Sequence, residues 1–231
     1  MKKLLILALI TPIFSLAQDT LSKWSVGVNF SLDDSYRALH KNDSRISDSY
    51  IDFINEYEHP KIAYTTGINI QYHFNNKFSL ASGVHYSQKN YGTQDYTYSI
   101  YDTLGNLTKY PASQTYRFKY LDIPLEFRHF IGNNRFKFFY GVGVNLNILL
   151  ESRYEFRFDY FGYYRSVNTT KDLRRINFSP TLAIGVKYDS HSNLSVLLEP
   201  IVRYQLLTNS TQAITERLYN VGLNLSLFYR L

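Results

Sequence analysis

The chain has 231 residues, a formal net charge of +6, no cysteine, and 22 tyrosines beside 16 phenylalanines. Its basic residues are scattered among Asp and Glu, so the charge is too weak a bias to mark a nucleic-acid binder. The lack of cysteine excludes a disulfide framework, while the aromatic load suits amphipathic walls and interfacial girdles, with helix-favouring Met and Ala sparse.

The first residues read as a secretory leader. Lys2 and Lys3 form the charged start, Leu4 to Ile10 the apolar core, and Ser15-Leu16-Ala17 the small residues before a cut ahead of Gln18. Thr11 and Pro12 interrupt the apolar run, which is too short to span a bilayer as an anchor. The expected organisation is a signal peptide over 1–17 and one β-barrel domain over 18–231, since no Pro/Gly/Ser-rich linker divides the remainder.

Period-two alternation recurs in eight segments. The first sets Trp24, Val26, Val28, Phe30 and Leu32 against Ser25, Gly27, Asn29 and Ser31. The second sets Tyr64, Ile68, Ile70, Tyr72 and Phe74 against Thr65, Gly67, Asn69, Gln71 and His73. After a turn at Asn75-Asn76-Lys77, the third opposes Phe78, Leu80, Val84 and Tyr86 to small or polar residues, with Ser82 as the one polar break in its apolar face. The fourth, about 117–130, opposes Leu121, Ile123, Leu125 and Phe127 to Asp122, Pro124, Glu126 and Arg128.

The fifth carries Phe138, Tyr140, Val142, Val144, Leu146 and Ile148, and its register continues to Tyr160. The sixth centres on Phe178 to Tyr188 and the seventh on Leu194 to Tyr204. The last is the cleanest, alternating from Tyr219 to Leu231. Pro124 and Pro200 fall inside apparent strands, where each removes a ladder donor, and so predict bulges or irregular pairing.

Connections alternate between short turns, after segments two, four and six, and long stretches after the others. That is the pattern of an outer-membrane barrel with short periplasmic turns and long extracellular loops. Side-chain volume fixes which face points in: eight strands enclose a space only just wide enough for side chains, and bulky apolar residues on every inward face would overfill it. The predicted fold is therefore all-β, an eight-stranded antiparallel transmembrane barrel with its apolar face in lipid. Its interior would hold a polar network of Asp122, Glu126, Arg128, Lys187, Glu199, Arg203 and Arg230, with Glu126 and Glu199 meeting Arg128, Arg203 or Lys187.

Two aromatic runs extend past the expected walls. Tyr96, Tyr98 and Ile100 alternate before the turn-like Asp102 to Asn106, which predicts a protruding hairpin. Tyr154, Phe156, Phe158 and Tyr160 share the outward parity of the fifth segment, with Arg153, Glu155 and Arg157 on the inward parity. Together, Tyr96, Tyr98, Tyr154, Phe156, Phe158 and Tyr160 form a candidate extracellular contact surface.

The stretch Tyr120-Leu121-Asp122-Ile123-Pro124-Leu125-Glu126-Phe127-Arg128, followed by Lys137 to Val144, resembles the YLEIPL strand and the aromatic-Gly-x-Gly strand of an outer-membrane β-barrel family common in Bacteroidota, the group that includes PorT-like barrels. Ser195 to Tyr204 and Tyr219 to Leu231 are similar to its last two strands, although Leu231 departs from the usual aromatic terminus. The resemblance implies a cell-envelope barrel with a signal peptide, and it implies no reaction.

No G-x-S-x-G elbow, H-E-x-x-H pair or phosphate loop is present, and the six histidines are dispersed, so neither a catalytic site nor a metal or cofactor is expected. Asp33, Asp34, Asp43, Asp48, Asp52 and Glu56 read as a solvated acidic first loop. The expected role is structural or within an envelope protein complex, among outer-membrane lipids and lipopolysaccharide, with a monomer favoured. Ligand binding, adhesion or transport through the aromatic loops is the alternative, and lipid modification by an outer-membrane enzyme a more distant one.

Overall fold

The computed structural model describes residues 23–93, 96–101, 106–132, 134–158, 162–190, 193–210 and 213–231, with only the backbone of Tyr96 and Tyr98. The expected leader at 1–17 and Tyr160 lie outside the described residues. In chain order the elements are β1 (Trp24–Lys41), α1 (Asp48–Tyr57), β2 (Glu58–His73), β3 (Phe78–Thr93), β4 (Tyr96–Tyr101), β5 (Leu107–Ile131), β6 (Phe136–Phe158), β7 (Tyr163–Asn168), β8 (Ile176–Asp189), β9 (Leu194–Tyr204) and β10 (Ile214–Arg230). A 3-10 turn, Thr170–Asp172, precedes β8.

All the strands join one antiparallel sheet in the order β4-β5-β3-β2-β1-β10-β9-β8-β6-β7, and a further long pairing ties β5 to β6. The described residues thus contain ten strands where the alternation gives eight. The two extra ones are short and lie in the long connections. β4 folds back on the start of β5 as the expected hairpin, and β7 folds back on the end of β6.

One face of the sheet is apolar and exposed, the other polar and enclosed. Val28, Phe30 and Leu32 are each more than half exposed, while their chain neighbours Ser31 and Asp33 are 0% and 2% exposed. Leu223, Leu225 and Leu227 repeat this against the buried Asn224 and Ser226. A water-soluble sheet would turn these faces the other way, because exposed apolar area costs roughly 25 cal/mol per Å² in water.

Three details depart from the sequence reading. First, Asp33 and Asp34 are not in a loop: β1 runs on to Lys41 because β10 continues opposite it, with Asp33 beside Gly222 and Lys41 beside Ile214. The apolar alternation stops at Leu32, so this polar extension carries no readable period. The connection that remains holds α1, whose cap Ser47 accepts the Tyr50 N–H at 3.2 Å.

Second, both prolines bring the irregular pairing expected of them, but without a bulge. Pairing lapses over Ile123 and Pro124 opposite Gly83 and Val84, and over Ile184 and Gly185 opposite Pro200 and Glu199, but the register on either side is unchanged. Ser82 Oγ donates to the Pro124 carbonyl at 2.8 Å, which explains the polar residue on an apolar face. The register shifts lie elsewhere, between Pro60 and Tyr64 in β2 and at Leu150 in β6.

Third, the shift at Leu150 inverts the outer half of β6. Tyr120 pairs with Leu149, whereas Lys119 pairs with Glu151, leaving Leu150 as the extra residue. Beyond it Tyr116 and Phe118 pair with Tyr154 and Ser152. Tyr154, Phe156 and Phe158 consequently share the face of the buried Phe118, and Arg153, Glu155 and Arg157 take the outer face, the reverse of the uninterrupted parity.

Candidate functional site

Enclosed carboxylates and guanidinium groups persist only where partners are built for them. Arg128 on β5 donates from Nε to Glu126 Oε1 at 2.7 Å and from Nη2 to Glu199 Oε1 on β9 at 3.2 Å. Asn224 Nδ2 donates to the same Glu199 oxygen at 2.5 Å. From Asn224 the chain of amides continues: Asn29 donates to it at 3.2 Å, Asn69 donates to Asn29 at 3.0 Å, and His85 bonds Asn69 at 2.8 Å. Side chains of β5, β9, β10, β1, β2 and β3 are thus linked across the interior.

A second link joins Arg203 to Asp33 at 3.2 Å, with Ser31 and Thr65 also donating to Asp33. In a third, Asp122 accepts from Ser87 and from Asn147, each at 2.7 Å, and Ser179 donates to Asn147. Two glycines make room for this chemistry. A Cβ at Gly141 would collide with the Glu126 carboxylate and one at Gly222 with that of Asp33, so both positions admit only glycine unless the acid moves. The void beside the Arg128 cluster is about 20 Å³, the volume of one water.

Of the residues singled out from sequence, Asp122, Glu126, Arg128, Glu199 and Arg203 are all buried in these three links. Lys187 and Arg230 lie apart, at the short-turn end, around a cavity of about 200 Å³ with Lys137 and His73. There Lys187 and Lys137 bond Asp189 at 2.8 and 3.0 Å, so Lys187 meets neither Glu126 nor Glu199. Ser25 Oγ and His73 Nε2 are hydrogen-bonded at 3.0 Å, and no carboxylate bonds that ring among the described residues, so no triad is assembled. The described residues also contain no group of three or more His, Asp or Glu side chains placed to hold a metal.

Asp33, Asn29, Asn69, Asn147 and Asn224 escaped the sequence reading of the site. The four asparagines do fall on the polar parity of their segments, and only their amide-to-amide bonding was invisible; Asp33 lay in a stretch without alternation.

At the opposite, long-connection end the interior changes character. Tyr91, Phe118, Tyr120, Leu149 and Leu218 form a buried cluster with Tyr36, Tyr116 and Leu173 packed against it. Tyr91 stacks on Tyr116 at 4.8 Å between ring centroids, and Tyr116 meets Tyr154 at 5.1 Å. Above them opens a vestibule of about 460 Å³, lined by β1, α1, β2, β3, β5, β6, the 3-10 turn and β10.

Its charged groups are Arg37, Glu58, Asp172 and Glu216. Arg37 donates to Glu58 Oε2 at 2.8 and 2.5 Å and to Asn55 at 2.7 Å, and its guanidinium lies 5.1 and 5.5 Å from the Tyr36 and Tyr91 ring centroids. Glu216 accepts from the Tyr91 hydroxyl and, at 3.2 Å, from Asn209 Nδ2. It stands five residues outside Val221, where the exposed apolar run of β10 begins, and burial raises its carboxyl pKa above the ordinary value. Burial, then the neighbouring Glu216, likewise raises the Tyr91 hydroxyl. The Tyr96 and Tyr98 side chains and Tyr160 lie outside the described residues, while Tyr154, Phe156 and Phe158 are half-buried.

A sheet with an apolar outer face, a hydrogen-bonded polar interior and unequal ends is the construction of an integral outer-membrane β-barrel. Residues 16–212 match the family described as outer membrane protein beta-barrel domain, and the chain belongs to that family. No curated protein matches the sequence. Among solved structures it is similar in fold to Neisserial surface protein A, at 12% identity and a TM-score of 0.48, over 92% of this chain and 100% of that one. The outer membrane protease OmpT from Escherichia coli is similar at 12% identity and a TM-score of 0.44, over 94% and 99%. Ail, the attachment invasion locus protein of Yersinia pestis, solved with the heparin analogue sucrose octasulfate, is similar at 10% identity and a TM-score of 0.35, over 89% and 99%.

Proposed function

We propose that this chain is a non-catalytic outer-membrane barrel of eight membrane-crossing strands, closed by the β5–β6 pairing, with a side-chain-filled interior and a structural or envelope-complex role. In this reading residues 1–17 direct export, the short turns face the periplasm, and β4 and β7 stand outside the lipid as parts of extracellular hairpins. The Tyr120 to Arg128 stretch supports kinship with PorT-like barrels of Bacteroidota. A monomer surrounded by lipid and lipopolysaccharide accounts for the continuous apolar belt without a second protein surface.

The observation that carries the reading is the Glu126–Arg128–Glu199 cluster, which bonds opposite walls to each other where a passive pore would need open water. Planar-bilayer recording tests it. The wild-type chain is expected to give no stepwise conductance, and replacing Glu126, Arg128 and Glu199 together by alanine is expected to give discrete steps. Stable steps from the wild-type chain would overturn the filled interior. A ligand-binding role is favoured by one observation, the aromatic vestibule.

A further inference from the structure

The vestibule has the volume of a small-molecule site, which typically spans about 300–1,000 Å³ with an apolar lining and a few converging polar groups. Tyr116, Phe118, Leu39 and Ile214 supply apolar and aromatic surface, and α1 adds Tyr50 and Ile54 from the rim. Its charges do not cancel. Three carboxylates, Glu58, Asp172 and Glu216, face one guanidinium, and Arg37 is consumed by Glu58 and Asn55.

Glu216 is the group left to explain. Its bonds come from a tyrosine hydroxyl and an asparagine amide, and no cation bonds it among the described residues. An anion enclosed by apolar walls and served only by neutral donors gains most from a cation brought to it. The Tyr91 ring beside it presents a negative π face, and that ring already holds one cation of the chain itself, since the Arg37 guanidinium lies over it.

We infer that the vestibule binds a small amphipathic organic cation, an ammonium group directed at Glu216 with an aromatic or aliphatic body against Tyr116 and Phe118. An anionic ligand of the same shape would meet uncompensated carboxylates, and a neutral one would leave Glu216 as it is. This site is independent of the filled interior below it, so a conducting wild-type barrel would not by itself remove it.

The test uses the full mature chain folded in non-ionic detergent and three probes of one shape: phenethylammonium, phenethyl alcohol and phenylacetate, titrated by calorimetry. The expected order is ammonium tightest, alcohol weaker by roughly tenfold or more, and phenylacetate without measurable binding. Glu216→Gln should bring the ammonium down to the level of the alcohol, and Tyr116→Leu should weaken ammonium and alcohol alike. Equal binding of the three probes, or no binding of the ammonium, overturns the site. Full ammonium affinity in folded Glu216→Gln overturns the assignment of its anion, and the probe series on the unmodified chain decides the matter if that variant does not fold.

Discussion

The two halves of the interior are filled by opposite means. The inner half, between the bilayer-facing walls, is held by carboxylates, guanidinium groups and amides that bond across the space. The outer half is packed by rings and leucines and leaves a cavity. In the inner half the strands turn most of their bulk outward, and the inward exceptions, Phe130, Phe139, Leu197 and Phe228, pack into one cluster under the Arg128 guanidinium; at Leu150 β6 slips by one residue, and the aromatics beyond it swing inside. The slip thereby adds Tyr154 to the rings that β3 and β5 already turn inward at this end, Tyr91, Tyr116 and Phe118.

The sharpest way to break this contrast is Arg128→Ala, which leaves Glu126 and Glu199 enclosed without their cation. It is expected to cost about 3–5 kcal/mol in urea unfolding from lipid vesicles, whereas joint replacement of Glu126, Arg128 and Glu199 by apolar residues of similar volume should be neutral or stabilising. Phe118→Ala probes the outer half, where the loss is one of packing. About 3 kcal/mol is expected, at the low end for a buried phenylalanine because the vestibule lies on one side. Ser82→Ala is the smallest, at about 1 kcal/mol, the worth of its hydrogen bond to the Pro124 carbonyl. A larger loss there would mean that this stretch depends on that bond more than its neighbours do.

Most of the inner half was legible in the sequence, because a buried-polar, exposed-apolar wall writes its period into every strand. Trp24 to Leu32 and Tyr219 to Leu227 show it without interruption. The outer half was not, for two reasons that are physical. Polar strand such as Ser35 to Lys41 has no lipid to demand alternation, and a slip such as that at Leu150 depends on the partner strand rather than on any local residue. The membership of Glu126, Arg128 and Glu199 in one cluster could be anticipated from charge; that Arg203 would choose Asp33 could not, since Asp33 reads as loop.

The two prolines have a mechanical consequence. Pro124 weakens the joint between β3 and β5, and Pro200 the joint between β8 and β9. These seams divide the wall into two panels, β5-β6-β8 on one side and β9-β10-β1-β2-β3 on the other. Arg128 to Glu199 and Ser87 to Asp122 are rivets that fasten one panel to the other where main-chain stitching is thinnest.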